Sequence, residues 1–170
     1  YIPTAGIETD GAREGIAVCL YELLLMGIQS ENILIYNLEL ILSKGYKRTY
    51  SAYVTDGHIA SRLINTEELK EFDAVFVSGG DSAVLCREMV RTGFGCAIEQ
   101  AVNAGLVYVG ISAGSMYAAG NLEKGLNIIP NPIIPHWNGD KLTSLPIGSE
   151  EIKLADGQTI YVEGYNICLI

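Results

Sequence analysis

The sequence predicts an α/β fold of three layers, αβα, with a mostly parallel sheet, and three observations carry that expectation. First, Ala74-Val75-Phe76-Val77 and Leu106-Val107-Tyr108-Val109 are short, continuous apolar runs rather than alternating ones, as strands buried on both faces are. Second, amphipathic stretches of helical period lie between the strands, which places helices over both faces of a sheet. Third, both runs end in glycine-rich turns, Ser78-Gly79-Gly80-Asp81 and Gly110-Ile111-Ser112-Ala113-Gly114. In such sheets ligands bind at the carboxyl ends of the strands, so both turns are expected to open into one crevice.

The elements follow in order. Asp10 to Gly27 reads as a helix, with Thr9 or Asp10 as cap, Ile16, Cys19, Leu20, Leu23 and Leu24 as its apolar stripe, and Gly27 as its stop. Asn32 to Tyr36 reads as a strand. Leu38 to Ile64 mixes Lys, Arg and Tyr with apolar residues and fits a surface loop with a short helix. Glu67 to Phe72 forms a helical turn before the strand at Ala74. Helices are expected from Ser82 to about Arg91 and from about Ala97 to Ala104, the latter closed by Gly105. The last third changes character, with Pro130, Pro132, Pro135 and Pro146 ahead of a strand over Thr159 to Val162. No repeat, low-complexity tract or linker divides the chain, so residues 1–170 are expected to form one domain.

Composition narrows the function classes. The 170 residues carry a net charge of -9, with Lys and Arg sparse and unclustered, which argues against nucleic acid as a partner. Apolar segments break well short of the roughly 20 residues needed to cross a bilayer, so no membrane partner is expected. The first residues show neither a basic n-region nor an apolar h-region, so no signal peptide is read there. The chain starts without Met at what reads as a strand end, so residues are expected before Tyr1. Cys19, Cys86, Cys96 and Cys168 form no C-x-x-C pair and lie mostly in apolar stretches, as buried free thiols do, which fits a reduced cytoplasmic setting. Of the two histidines, His58 reads as an exposed turn residue. Neither His58 nor His136 has metal-ligand spacing, so no metal or other cofactor is expected.

The turn at Ser112 has the strand, sharp turn and helix order of a G-x-S-x-G nucleophile elbow, in which small neighbours let a strained turn present the hydroxyl. A serine hydroxyl needs a base within reach and donors for the developing oxyanion. His136, in Ile133-Ile134-Pro135-His136-Trp137, is the candidate base, against a plain reading as a histidine packed on Trp137. The amides of Gly80 and Ala113 are the candidate oxyanion donors, and Gly79 and Asp81 are expected to border the substrate, with Asp81 also capping the next helix. Asp156, in an Asp-Gly turn, is the candidate acid behind His136, with Asp140, Glu150 and Glu151 as competitors.

Together Val75-Phe76-Val77-Ser78-Gly79-Gly80-Asp81, Gly105 through Ser115, and Pro135-His136 resemble peptidase E, the aspartyl dipeptidase family of serine peptidases. The resemblance extends to Tyr1 through Gly6 and to Leu154-Ala155-Asp156-Gly157. It implies a flavodoxin-like, class I glutamine amidotransferase-like topology, with serine in place of the amidotransferase cysteine. It also implies Ser112 as nucleophile, His136 as base, and Gly80 with Ala113 as oxyanion donors. The stretches from Ser112 to His136 and from His136 to Asp156 are shorter than the resemblance implies. The second lacks a basic, Arg-containing helical segment, and a glutamate is implied where Asp156 stands.

A serine exopeptidase or dipeptidase acting on short peptides is therefore the leading expectation, with a homodimer as a compatible assembly. An α/β-hydrolase esterase also uses G-x-S-x-G, but it expects the order Ser, acid, His and an H-G-G-G segment upstream. A domain that keeps the fold and binds a small ligand without catalysis is the third expectation.

Overall fold

The computed structural model describes residue 1 and residues 10–39, 63–146, 148 and 150–170, without the side chains of residues 10–14. The His58 turn, Thr9, the Asp10 side chain and most of the stretch after Leu38 lie outside this description. Helix α1 (Asp10–Leu25) buries Ile16 and Leu23 but leaves Leu24 exposed, so its stripe is narrower than the periodicity predicts. Gly27 ends it at φ +88°, with Gly27 N donating to Leu24 O and Ile28 N to Leu23 O. That bond pair is a Schellman motif, which requires the left-handed residue.

Instead of a regular strand over Asn32 to Tyr36, the chain makes a 3₁₀ turn at Ser30–Asn32 and then an extended segment. Its backbone pairs with Tyr1, which donates from N to Leu34 O at 2.7 Å and accepts from Tyr36 N at 2.8 Å. Helix α2 (Thr66–Leu69) is a single turn closed by a reciprocal capping box between Asn65 and Glu68.

Strand β1 (Ala74–Val77) leads through the glycine turn into α3 (Ser82–Thr92), and α4 (Phe94–Asn103) follows at once. The start of α4 lies three residues before the expected Ala97. Gly93 sits at φ +70°, so one residue both ends α3 and redirects the chain. Thr92 Oγ1 tightens the corner by donating to Glu88 O at 2.7 Å and accepting from Phe94 N at 3.3 Å.

Strand β2 (Val107–Gly110) pairs in parallel with β1, Val77 opposite Gly110, and Ile111 N continues the ladder to Val77 O at 2.9 Å. Helix α5 (Ala113–Ala118) then packs against both strands. Beyond it, β3 (Ile133–Ile134) pairs in parallel with β4 (Ile152–Lys153), and β5 (Ile160–Glu163) pairs antiparallel with β6 (Asn166–Leu169). Two of the three pairings among the described residues are parallel, and the fold is α/β. Strands β4 and β6 are additions to the sequence-based expectation.

Two apolar clusters hold these pieces. The larger gathers Tyr36, Val75, Val77, Leu85, Met89, Ile98 and Tyr117 between β1 and helices α3, α4 and α5. Each such side chain, fully buried, contributes about 1.5–3 kcal/mol of apolar transfer free energy. The smaller joins Ala119, Ile129, Ile133 and Ile152 beneath β3, β4 and β5. The apolar runs predict cover on both faces of the sheet, but β1 buries Val75 and Val77 on one face while Ala74 is exposed and Phe76 half-buried on the other, and β2 is more open still. Val107, Val109 and Ile111 remain 55%, 38% and 41% exposed, because that side of β2 borders a cleft. The cysteines also depart from expectation: Cys19 and Cys86 are half-buried, and Cys96 and Cys168 are exposed. No described helix is long and apolar enough to cross a membrane.

Candidate active site

Ser112 occupies the junction of β2 and α5 at φ 52° and ψ -111°, a left-handed backbone that a non-glycine residue adopts at a cost of about 1–3 kcal/mol. The packing around it explains why the chain accepts that cost. A Cβ on Gly110 would lie 2.6 Å from the Gly114 carbonyl carbon and oxygen, and one on Gly114 would overlap the Val77 carbonyl. The first turn of α5 thus rests directly on the ends of β1 and β2, where only hydrogen fits. Three bonds fix the corner: Gly114 N to Ile111 O at 2.9 Å, Met116 N to Ser112 O at 3.0 Å, and Ser115 Oγ to Ser112 O at 2.6 Å.

Tyr108 adds an anchor that sequence reasoning missed, since its hydroxyl donates to Gly114 O at 2.8 Å. Burial pushes that phenol far above its ordinary range, so it stays a neutral donor. A tyrosine six residues before the second glycine of an elbow, in an otherwise aliphatic strand, was the available signal.

Around the hydroxyl, the predicted residues divide. A Cβ on Gly79 would stand 3.1 Å from Ser112 Cβ and 3.5 Å from Ser112 Oγ, so the glycine turn after β1 lies against the serine side chain. Gly80 follows at φ +127°, a conformation open to glycine. Ala113 is the first residue of α5, and no described group accepts from its amide. Asp81 caps α3, as expected, with its Oδ1 accepting from Ala83 N at 2.8 Å and Val84 N at 3.0 Å. Such a cap contributes about 1 kcal/mol.

His136 leaves β3 through Pro135, and its own backbone is left-handed, φ 56°. The residues on either side hold it: Leu154 N donates to Ile134 O at 2.9 Å, and Trp137 N donates to Leu154 O at 3.1 Å. The same two bonds tie β3 to the segment carrying Asp156. The Gln158 side chain steadies that segment further, accepting from Leu142 N at 3.0 Å and donating to Leu142 O at 2.8 Å.

The result is a contact of 2.8 Å between His136 Nδ1 and Asp156 Oδ1. The histidine's acidic neighbour is thus Asp156 and not Asp140, Glu150 or Glu151. Trp137 faces the Lys153 ammonium at 4.6 Å from its ring centroid, which gives the indole a partner other than the imidazole. The side chains of His136 and Asp156 are 59% and 82% exposed, so water screens their attraction heavily.

Ser112, Pro135, His136 and Asp156 all line one cleft of about 1170 Å³, but among the described residues His136 pairs with Asp156 and no hydrogen bond joins its ring to the Ser112 hydroxyl. Gly79, Gly80, Asp81 and Ala113 are not among the cleft's lining residues, although Gly79 lies against the Ser112 side chain. Its charged lining among the described residues is acidic, Glu99, Asp156 and Glu163, with no Lys or Arg. A strained serine at a helix start and a histidine oriented by a carboxylate are the components of nucleophilic acyl transfer.

Known proteins resemble this chain in fold and in sequence. A solved structure of a candidate peptidase E from Listeria monocytogenes EGD-e superposes with a TM-score of 0.52 at 18% identity, covering 86% of this chain and 91% of that one, which is a likeness of fold. An uncharacterized peptidase of Pasteurella multocida is 29% identical over 108 residues, 54% of this chain and 50% of the relative. The peptidase E of Streptomyces coelicolor is 39% identical over 82 residues, 41% of this chain and 34% of the relative. The chain thus spans half or less of the length of these two relatives. The model of peptidase family S51 matches residues 58–170, which hold Ser112, His136 and Asp156, and the chain belongs to that family.

Proposed function

We propose that this chain is a serine peptidase that cleaves short peptides by way of an acyl-enzyme. The observation that carries the reading is the 2.8 Å contact between His136 and Asp156, both of which line the same cleft as the strained Ser112. Asp156 engages Nδ1, which leaves Nε2 of His136 as the nitrogen to take the Ser112 proton. The serine oxygen attacks the peptide carbonyl, and the oxyanion is received at the margin of the cleft by the amide of Ala113, next to Ser112 in the chain, and by that of Gly80, in the turn that lies against the Ser112 side chain. His136 then protonates the leaving amine, and water, activated by the same imidazole, releases the acyl group. Gly79 supports the reading by leaving the space beside Ser112 free of a side chain. The four free thiols accord with a reducing, cytoplasmic setting.

Asp81 enters this reading by positioning: its cap sets the helix that starts just after the Gly80 amide. The acidic lining and the absence of a described Lys or Arg from it favour uncharged over acidic substrate side chains.

The test compares the wild type with Ser112→Ala on a panel of neutral dipeptides, longer peptides and nitrophenyl esters. Peptide turnover is expected to fall at least about a thousandfold in the variant, as removal of a nucleophile does elsewhere. Peptide cleavage that survives the substitution would remove Ser112 from its role, and turnover of esters alone would make the chain an esterase.

A further inference from the structure

The ladder between β1 and β2 uses only alternate residues of β2. Val107 N donates to Asp73 O and Ile111 N to Val77 O, so the groups of Val107, Val109 and Ile111 point toward β1. The N–H and C=O of Tyr108 and Gly110 point the opposite way, and among the described residues nothing pairs with them. Every residue from Leu106 to Ser112 borders the cleft, a continuous run that takes in the free edge of β2 as well as its exposed face. On another wall, Thr159 exchanges both backbone bonds with Ile170, which sets the antiparallel phase of β5 and β6. The free groups of β5 are therefore those of Ile160 and Val162, and β5 borders the cleft while β6 does not.

Unpaired strand edges are ordinarily covered or blunted, because they template pairing with other chains. Here two of them border one concave space that also holds Ser112. We propose that the cleft takes its substrate as an extended β-strand, hydrogen-bonded in register to Tyr108 and Gly110 of β2, with the scissile carbonyl delivered to Ser112. This deepens the peptidase reading and rests on it for the cleavage step alone.

The edge from Tyr108 to Ser112 spans about 13 Å at ~3.3 Å per residue. A peptide needs about four residues on one side of the cut bond to reach both pairing positions, so a dipeptide reaches neither fully. The exposed side chains of Val107, Val109 and Ile111 supply apolar contact beside this track. A single extended peptide suits the space better than a second copy of the chain, since the edges lie within a concavity rather than on a convex rim.

The experiment measures binding of a neutral hexapeptide to the Ser112→Ala protein, which isolates recognition from chemistry. Two further hexapeptides carry N-methyl groups on alternate residues, one set in even and one in odd positions. Strand pairing uses one set of amides and leaves the other free. One methylated peptide is therefore expected to bind about tenfold more weakly per lost bond, and its counterpart like the parent. Equal effects of the two sets, no effect of either, or no binding of the hexapeptide would overturn the proposal. So would sedimentation showing a dimer that excludes the peptide, which assigns the edge to a second copy. Period-two binding in a protein whose wild type cleaves no peptide would keep the strand site and sink the peptidase reading, so the two failures are distinguishable.

Discussion

The two halves of the candidate site are built on opposite terms. Ser112 stands where two strands and a helix meet so closely that Gly110 and Gly114 have no room for a methyl group. His136 and Asp156 stand just past the short strands β3 and β4, which rest on the smaller apolar cluster; both are more than half exposed and meet through one hydrogen bond. The first half is fixed by steric exclusion, which water does not weaken. The second is fixed by a polar contact that water competes for, backed by the turn that Gln158 clamps. A nucleophile held rigidly and a base held lightly place most of the preorganisation on the serine side.

That contrast is open to breakage from either side, and among substitutions that leave the nucleophile in place the largest effect is expected at the light half. Asp156→Ala removes the group that orients His136 while touching no buried contact. Peptide turnover is expected to fall about a hundredfold to a thousandfold, less than for a buried triad acid because the pair is exposed. The melting temperature should hardly move, since surface substitutions shift stability by only about 0.5 kcal/mol. A large loss of stability with activity retained would reverse the assignment of the two halves. At the rigid half, Gly114→Ala drives a methyl into the Val77 carbonyl of β1. Destabilisation of about 1–3 kcal/mol or more is expected in denaturant unfolding, with activity falling as the elbow shifts. Unchanged stability there would mean that the corner is looser than its contacts.

The sequence discloses these halves unequally, for the same physical reason. The β1 turn, the elbow and the helices around them are local constructions, each announced by an apolar run and a glycine that steric contact demands. The Tyr108 anchor and the early start of α4 at Gly93 are also local, but they depend on geometry that composition does not carry. The pairing of β3 with β4 joins residues nineteen apart in register, Ile133 with Ile152, through two-residue strands too short for any periodic signal. His136 is legible as a polar residue after a proline-bounded run. Asp156 is legible only as one of several acids, because its selection rests on that distant pairing. The uncovered face of β2 escapes the sequence because a continuous apolar run looks the same whether a helix or a cleft lies over it.

The smallest expected effect sits at the boundary between the two kinds of order. Gly79→Ala places a methyl 3.1 Å from Ser112 Cβ and 3.5 Å from Ser112 Oγ, a separation that neighbours relieve by moving a few tenths of an ångström. Gly79 is not among the residues held at positive φ, so the backbone accepts alanine there and the fold should lose less than about 1 kcal/mol. Catalysis is more sensitive, since a displacement near 1 Å costs about a hundredfold. A shift of a few tenths of that is expected to reduce kcat about threefold to tenfold, with KM little changed. If instead KM rises while kcat holds, the methyl obstructs the substrate and leaves the nucleophile in place. Gly79 would then belong to the binding surface, as the sequence suggests, and the rigid half of the site would be stiffer than its closest contact requires.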